Sequence, residues 1–361
     1  MAETGFCKAP AQLWANIFQE GNKLNNLFKH AKKELSTDAF LAWFFVELDT
    51  NPKLNPYISS VFSSLGLVSY GELPENVEVK LQKSRVDLLL FFDVGNEKRS
   101  ILFENKVWTS FHSNQLEKYK KIFGNCTKYI YFKLGFIDVH EKLVIERYGY
   151  LPLSAIDFYN AIKDLSSLDT IIQHYCEFIK HEFIDAIGNV LERIDQPDPN
   201  AFKNATVQKY IMGELYEKLK ESDYSSEFKI IFKTGINRGG APWTHLIICQ
   251  KKGFYDGKNE TLWWRIDKRS KKTYLRLSQY GNVKDRKDLI EIKKRRLGKI
   301  REAVNTICDN YALKRGKITN KGVNENEVVI FFFDENPYTK IKELLPALTR
   351  DIQNAYNNLI D

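Results

Sequence analysis

The run from Arg85 to Lys106 constrains this chain more than any other. Two apolar, β-rich stretches flank Val94-Gly95-Asn96-Glu97, and a turn of that kind between strand-forming runs predicts a β-hairpin. With the turn centred between Gly95 and Asn96, pairing runs back from Val94 opposite Glu97 to Asp87 opposite Glu104. Side chains alternate across a strand, so Lys106 shares the face of Glu104. The hairpin thus gathers two carboxylates and an ammonium on one face of strands otherwise built from Val, Ile, Leu and Phe.

Such a cluster is costly unless something balances it. Neighbouring carboxylates in an apolar setting repel, and one of them takes up a proton unless a cation sits between them. Oxygen ligands of this kind suit a hard divalent ion, which keeps bound waters that can turn nucleophile. Lys106 is then placed to orient such a water, to help deprotonate it, or to steady negative charge developing on a phosphate. This is the chemistry of metal-assisted phosphodiester hydrolysis. The structural alternative is an ion-pair network in which the acids and the lysine partner one another.

The pattern resembles the PD-(D/E)XK nuclease superfamily, in its restriction-endonuclease-like branch, where an acid on one strand is followed on the next by acid, any residue, lysine. Those residues here are Asp87 and Glu104-Asn105-Lys106, with Val86 where the family usually has Pro. Pro sets backbone shape and ligates nothing, so this departure spares the chemistry. Glu34-Leu-Ser-Thr-Asp-Ala-Phe-Leu-Ala-Trp43 is similar to the opening of one branch, and Gln115-Leu-Glu-Lys-Tyr119 to the helix that follows the catalytic hairpin. The resemblance implies that Asp87, Glu104 and the backbone carbonyl of Asn105 bind Mg²⁺, with Mn²⁺ as a substitute. By the same resemblance Lys106 acts on the water, Glu34 is an extra helix-borne acid near the metal, and Gln115 contacts the lysine, the water or a phosphate. Glu34 also precedes a predicted helix N-cap at Ser36, where an acid would stabilise the helix end.

Element order agrees with that core. Apolar periodicity predicts helices over 11–33 and from Ser36 or Thr37 to Leu48, the latter with a stripe of Phe40, Leu41, Phe44, Phe45 and Leu48. A strand over 77–81 leads into the hairpin; a helix over 112–123 and a strand over 128–133 follow. The expected fold class is α/β (α+β): a restriction-endonuclease-like αβββαβ core with a mixed sheet, and a second α+β domain built on an antiparallel sheet. Glu78 lies on the strand before Asp87, pointing either into the site or to solvent. The polar, twice Pro-interrupted Asp195-Gln-Pro-Asp-Pro-Asn200 marks the boundary, giving domains 1–195 and 201–361.

Charge separates the halves. Residues 1 to 200 hold 22 Lys+Arg against 26 Asp+Glu, and residues 201 to 361 hold 32 against 20, so all of the net +8 arises in the second half. A polyanion grip is expected there. The candidate contacts are Lys293, Lys294, Arg295, Arg296 and Lys299 on a predicted helix over 285–309, with Arg269 and Lys272 in a second cluster interleaved with Trp263, Trp264 and Tyr274. Arg238-Gly239-Gly240 reads as a hairpin turn. The five cysteines are scattered and form no Cys-x-x-Cys pair, which indicates neither a disulfide framework nor a zinc site. No apolar run reaches membrane-spanning length, and Met1-Ala-Glu-Thr-Gly lacks the start of a secretory signal, so a cytoplasmic protein with no membrane partner is expected.

These readings converge on a Mg²⁺-dependent endonuclease cutting DNA, restriction-like or in phage defence, with RNA open to the same chemistry. Two-strand cutting favours a homodimer. The runner-up is a nucleic-acid-binding or regulatory protein on a nuclease scaffold that no longer cuts.

Overall fold

The computed structural model describes residues 26–30, 33–110, 114–192, 205–221, 228–237, 241–269, 272–283, 286–319, 322–333 and 336–359. The chain is mixed α/β and divides into two compact units. The first runs to Gly135 and resumes over Leu153–Phe183; the second takes Phe136–Pro152 and everything from Ile184. The expected boundary at Asp195–Asn200 lies outside the described residues, and the excursion of 136–152 into the second unit has no signature in local composition.

In the first unit the hairpin register is the one the alternation predicts. β1 (Pro74–Leu81) and β3 (Glu97–Lys106) flank β2 (Leu88–Val94) antiparallel, with Val94 opposite Glu97 and Leu88 opposite Phe103. Gly95 sits at φ +58°, the left-handed conformation a two-residue hairpin turn requires. β4 (Lys128–Lys133) pairs parallel with β3, so the chain needs a crossover, which runs through a short helix, α3 (Gln115–Ile122). β5 (Leu151–Ser154) completes a mixed sheet ordered β1-β2-β3-β4-β5.

The two sheet faces divide the labour. Phe92 and Phe103 pack on Phe62 of α2 (Ile58–Ser64) and Phe45 of α1 (Lys33–Thr50), with ring centroids 5.2 and 5.6 Å apart. The whole α1 stripe from Phe40 to Leu48 is buried as predicted. α1 begins earlier than expected, so Ser36 lies within the helix rather than capping it, and Glu34 falls in the first turn, where acids are favoured. α5 (Ala155–Ile162) and α6 (Thr170–Ile179) add Phe158 and Tyr175 around Phe40. Of the helix expected over 11–33, the described part holds a single 3₁₀ turn, Leu27–Lys29, capped by Asn26.

The second unit contains α4 (Val139–Arg147), α7 (Asp185–Leu191) and α8 (Ala205–Glu221), then a meander of β6 (Ile231–Ile236), β7 (Pro242–Tyr255), β8 (Lys258–Arg269) and β9 (Lys272–Gly281). After α9 (Lys287–Asn310), β10 (Glu325–Phe333) joins beside β9, and α10 (Pro337–Asn357) closes the chain. The antiparallel sheet is ordered β10-β9-β8-β7-β6. One face carries Leu246, Leu262, Trp264, Leu275, Leu277 and Phe331 into a core shared with apolar residues of α8, α9 and α10. Among the described residues no helix is long and apolar enough to cross a membrane, and Cys126, Cys176, Cys249 and Cys308 are free thiols.

Candidate active site

Asp87 is delivered by a strained turn. Gln82 and Arg85 are left-handed, at φ 50° and 71°, a cost of roughly 1–3 kcal/mol each for residues with a Cβ. Three bonds pin the turn. The Gln82 N–H donates to the Asp87 carbonyl at 3.1 Å, the Val86 N–H to the Lys83 carbonyl at 3.1 Å, and the Tyr119 hydroxyl to the Arg85 carbonyl at 2.6 Å. Val86 adopts φ −81°, ψ 136°, a conformation Pro would also impose. Its N–H bond is one that Pro cannot make.

Four of the expected residues meet here around the main chain of a fifth. Lys106 Nζ contacts Glu104 Oε1, donates to the Asn105 carbonyl at 2.9 Å, and lies 3.9 Å from Asp87 Oδ2. The Asn105 N–H donates to Asp87 Oδ2 at 2.8 Å. Gln115, the first residue of α3, donates its side-chain amide to Glu104 Oε1 at 2.7 Å and to the Tyr119 hydroxyl at 3.0 Å. Glu34 lies at the exposed rim, where it accepts from the Thr109 hydroxyl at 3.5 Å and its charge acts on Asp38, Asp87 and Lys106. Glu78 is not drawn in: it is exposed and paired with Lys80 at 2.9 Å.

Sequence reasoning missed Asp38. It is buried on α1, and its Oδ1 accepts from Asn105 Nδ2 at 2.5 Å. Asn105 therefore spans the sheet, with its side chain held by α1 on one face and its main chain serving Asp87 and Lys106 on the other. The spacing Glu34-x-x-x-Asp38, one helical turn, was the available signal.

The site is short of positive charge. Glu104 is fully buried, and that burial, with the charge of Asp87 second, pushes its carboxyl up to about 7. Burial likewise raises Asp87, against Lys106 and the Asn105 N–H, which pull it down. Burial lifts Asp38 to about 6 despite its bond to Asn105, and Asp87 and Glu34 push the same way. Burial opposes the Lys106 ammonium, yet the attraction of Glu104, Asp87 and Glu34 outweighs it and raises the lysine. Among the described residues, Lys106 is the cation that acts on Asp38, Asp87 and Glu104.

Two features fit a hard cation. Glu104 Oε2 is buried with no hydrogen-bond partner among the described residues. Oxygens of Asp87, Glu104 and the Asn105 main chain already converge on a cationic group, the Lys106 ammonium. Among the described residues no three His, Cys, Asp or Glu side chains meet as a metal cage. An ion here would rest on two carboxylates, a carbonyl and water, the kind of partial shell Mg²⁺ accepts.

Two of the expected nucleic-acid contacts on α9, Lys293 and Arg296, are buried rather than presented to a ligand. Lys293 is buried and donates to the Val323 carbonyl at 2.8 Å; burial pulls its ammonium down to about 8. Arg296 is buried on Glu260 at 3.2 Å. Helical periodicity explains both, because Lys293, Arg296, Leu297 and Ile300 share the inward stripe of α9. Lys294, Arg295 and Lys299 are exposed, as is Lys272, whose ammonium lies 4.4 Å from the Phe332 ring centre. The Arg269 side chain and Arg238-Gly239-Gly240 lie outside the described residues. Trp263 and Trp264 are both buried.

Comparison of the chain with protein-family models, with curated proteins and with solved structures returns no match.

Proposed function

We propose that this protein is a Mg²⁺-dependent endonuclease that hydrolyses phosphodiester bonds in DNA. Its first unit would serve as a restriction-endonuclease-like catalytic core of the PD-(D/E)XK type, and its basic second unit as the part that holds the nucleic acid. The observation that carries this reading is a fully buried Glu104 touching Lys106 beside Asp87, with one carboxylate oxygen left over. The order α1, α2, β1, β2, β3, α3 and β4, an αβββαβ succession with one short helix added after α1, supports the fold assignment.

Each residue has a task in that reaction. Asp87, Glu104 and the Asn105 carbonyl would hold Mg²⁺, which supplies an acidified water and offsets phosphate charge. Lys106 stays protonated at neutral pH, since its surroundings favour the ammonium. It therefore orients the water and stabilises charge on the phosphate oxygens as the leaving oxygen departs, rather than serving as a base. Gln115 fixes the Glu104 carboxylate, and Asp38 fixes Asn105. Cutting both strands calls for a second copy of this site, which a homodimer supplies; roles in restriction or phage defence suit such an enzyme.

Supercoiled plasmid incubated with the protein and Mg²⁺, Mn²⁺ or chelator tests the reading. Nicking or linearisation with metal, lost in chelator and in Asp87→Ala, Glu104→Ala and Lys106→Ala, is expected. Unchanged cutting by any of these variants would falsify the site. Binding of DNA without cutting under all metal conditions would favour the silent scaffold instead.

A further inference from the structure

The face of the second sheet that turns away from the helical core carries a row of flat groups. Trp243 and His245 lie two apart on β7 and so share a face, and Lys233 of β6 stands opposite His245. Trp263 of β8 pairs with Ile247, two residues further along β7. The Trp243 and His245 rings are 4.6 Å apart, His245 stacks on Trp263 at 3.7 Å and 15°, and the Arg276 guanidinium lies 5.3 Å over Trp263. At the β6 end the indole of Trp243 lies against Gly235, where an added Cβ would come within 2.5 Å of the ring. Glycine there is a condition for the tryptophan to lie flat.

This row borders a hollow of about 580 Å³ lined by Lys233, Trp243, His245, Lys258, Trp263 and Tyr280, among others. Three features of the hollow point to one kind of occupant. His245 Nε2 is buried in its wall with no hydrogen-bond partner among the described residues. Lys233 and Lys258 are exposed and enter no ion pair among the described residues, and the acid of the lining, Glu325, is engaged by Arg276 at 3.3 Å. Flat rings, an unmet imidazole nitrogen and uncommitted ammonium groups match an aromatic heterocycle that carries phosphate. Burial, with Arg265, Arg276 and Lys233 nearby, pushes His245 down to about 3, so the imidazole presents a neutral ring.

We infer that the hollow on the outer face of the second sheet binds an unpaired nucleotide of single-stranded DNA. The base packs against Trp243 and bonds to His245 Nε2, while Lys233 and Lys258 meet the flanking phosphates. The choice of DNA rests on the function proposed above; the stacking site itself does not. A protein that opens or senses single-stranded regions would use such a platform, since a base inside a duplex exposes no ring face.

Fluorescence anisotropy with a fluorescein-labelled dT12 and the full chain, in chelator, tests it. The wild type is expected to bind dT12 at least about tenfold more tightly than an abasic 12-mer or a 12-base-pair duplex, given the usual worth of one base–aromatic stack. Trp243→Ala should remove that preference and Trp243→Phe keep most of it. Lys233→Glu with Lys258→Glu, at exposed positions that spare the fold, should weaken dT12 binding and flatten its salt dependence. Equal binding of dT12 and the abasic strand, or an unaltered preference in Trp243→Ala, overturns the site; tighter binding of rU12 than dT12 overturns its assignment to DNA. Chelator silences metal-dependent cleavage, so failure here leaves the plasmid result standing, and a plasmid that stays uncut leaves the stacking result standing.

Discussion

Glu104 of the first unit and Glu260 of the second are both completely buried, and they are settled in different ways. Glu260 of the second unit receives Tyr255 and Gln279 on one oxygen, at 2.5 and 2.6 Å, and Arg296 and Tyr356 on the other, at 3.2 and 2.6 Å. Glu104 of the first unit shares a single lysine with Asp87, takes one amide from Gln115, and leaves Oε2 without a partner among the described residues. A buried carboxylate met on every side holds a fold together. One that is crowded by other acids and only half met carries charge that its neighbours do not balance.

The largest expected effect follows from removing the charges that are short of partners. Lys106→Ala or Asp87→Ala should lower the plasmid cleavage rate by about 10²- to 10⁴-fold; Asp87→Ala, which takes one acid out of a crowded set, should leave thermal unfolding within a few degrees of wild type. In the second unit the order reverses. Arg296→Ala strands the Glu260 carboxylate and should cost about 3–5 kcal/mol of stability in denaturant unfolding, with the cleavage rate per folded molecule unchanged. A large stability loss from Asp87→Ala, or none from Arg296→Ala, would erase the contrast.

Asp38→Asn sharpens it at a smaller scale. The variant keeps the shape but weakens the hold on Asn105, and cleavage should fall about 10- to 100-fold, as for outer partners of metal ligands, with recovery at raised Mg²⁺. Acidity gives a further separation. Glu104 titrates at about 7 in the fold against its ordinary 4.5, so the folded chain holds the extra proton and is favoured at low pH. Without metal, stability should decline as pH rises from about 4.5 to about 7, by up to about 1.4 kcal/mol per pH unit. Asp38 contributes in the same direction between its ordinary 3.8 and about 6. Glu104→Gln should remove the upper part of that slope in urea titrations across the range; an unaltered slope would mean that another group sets it.

Much of the first unit was legible because its signals are local. The hairpin register follows from strict alternation around Gly95-Asn96, and the α1 stripe from Phe40 to Leu48 is unbroken. What escaped was everything set by distant partners. Asp38 gains its meaning from Asn105, 67 residues on. Arg296 reads as a surface charge until Glu260, 36 residues earlier, is found beneath it. The neighbours Trp263 and Trp264 look interchangeable in a basic cluster, yet alternation sends Trp264 into the core against Thr349 and Trp263 into the outer row with His245.

The most direct test of this asymmetry is calorimetric titration of Mg²⁺ into the full chain at neutral pH. The wild type should take up Mg²⁺ with a saturable heat, and the Asp87→Ala, Glu104→Ala double variant, still folded, should give none. Equal heats from the two proteins, or no uptake by either, would contradict the claim that the first unit keeps its surplus of buried acid for a metal ion.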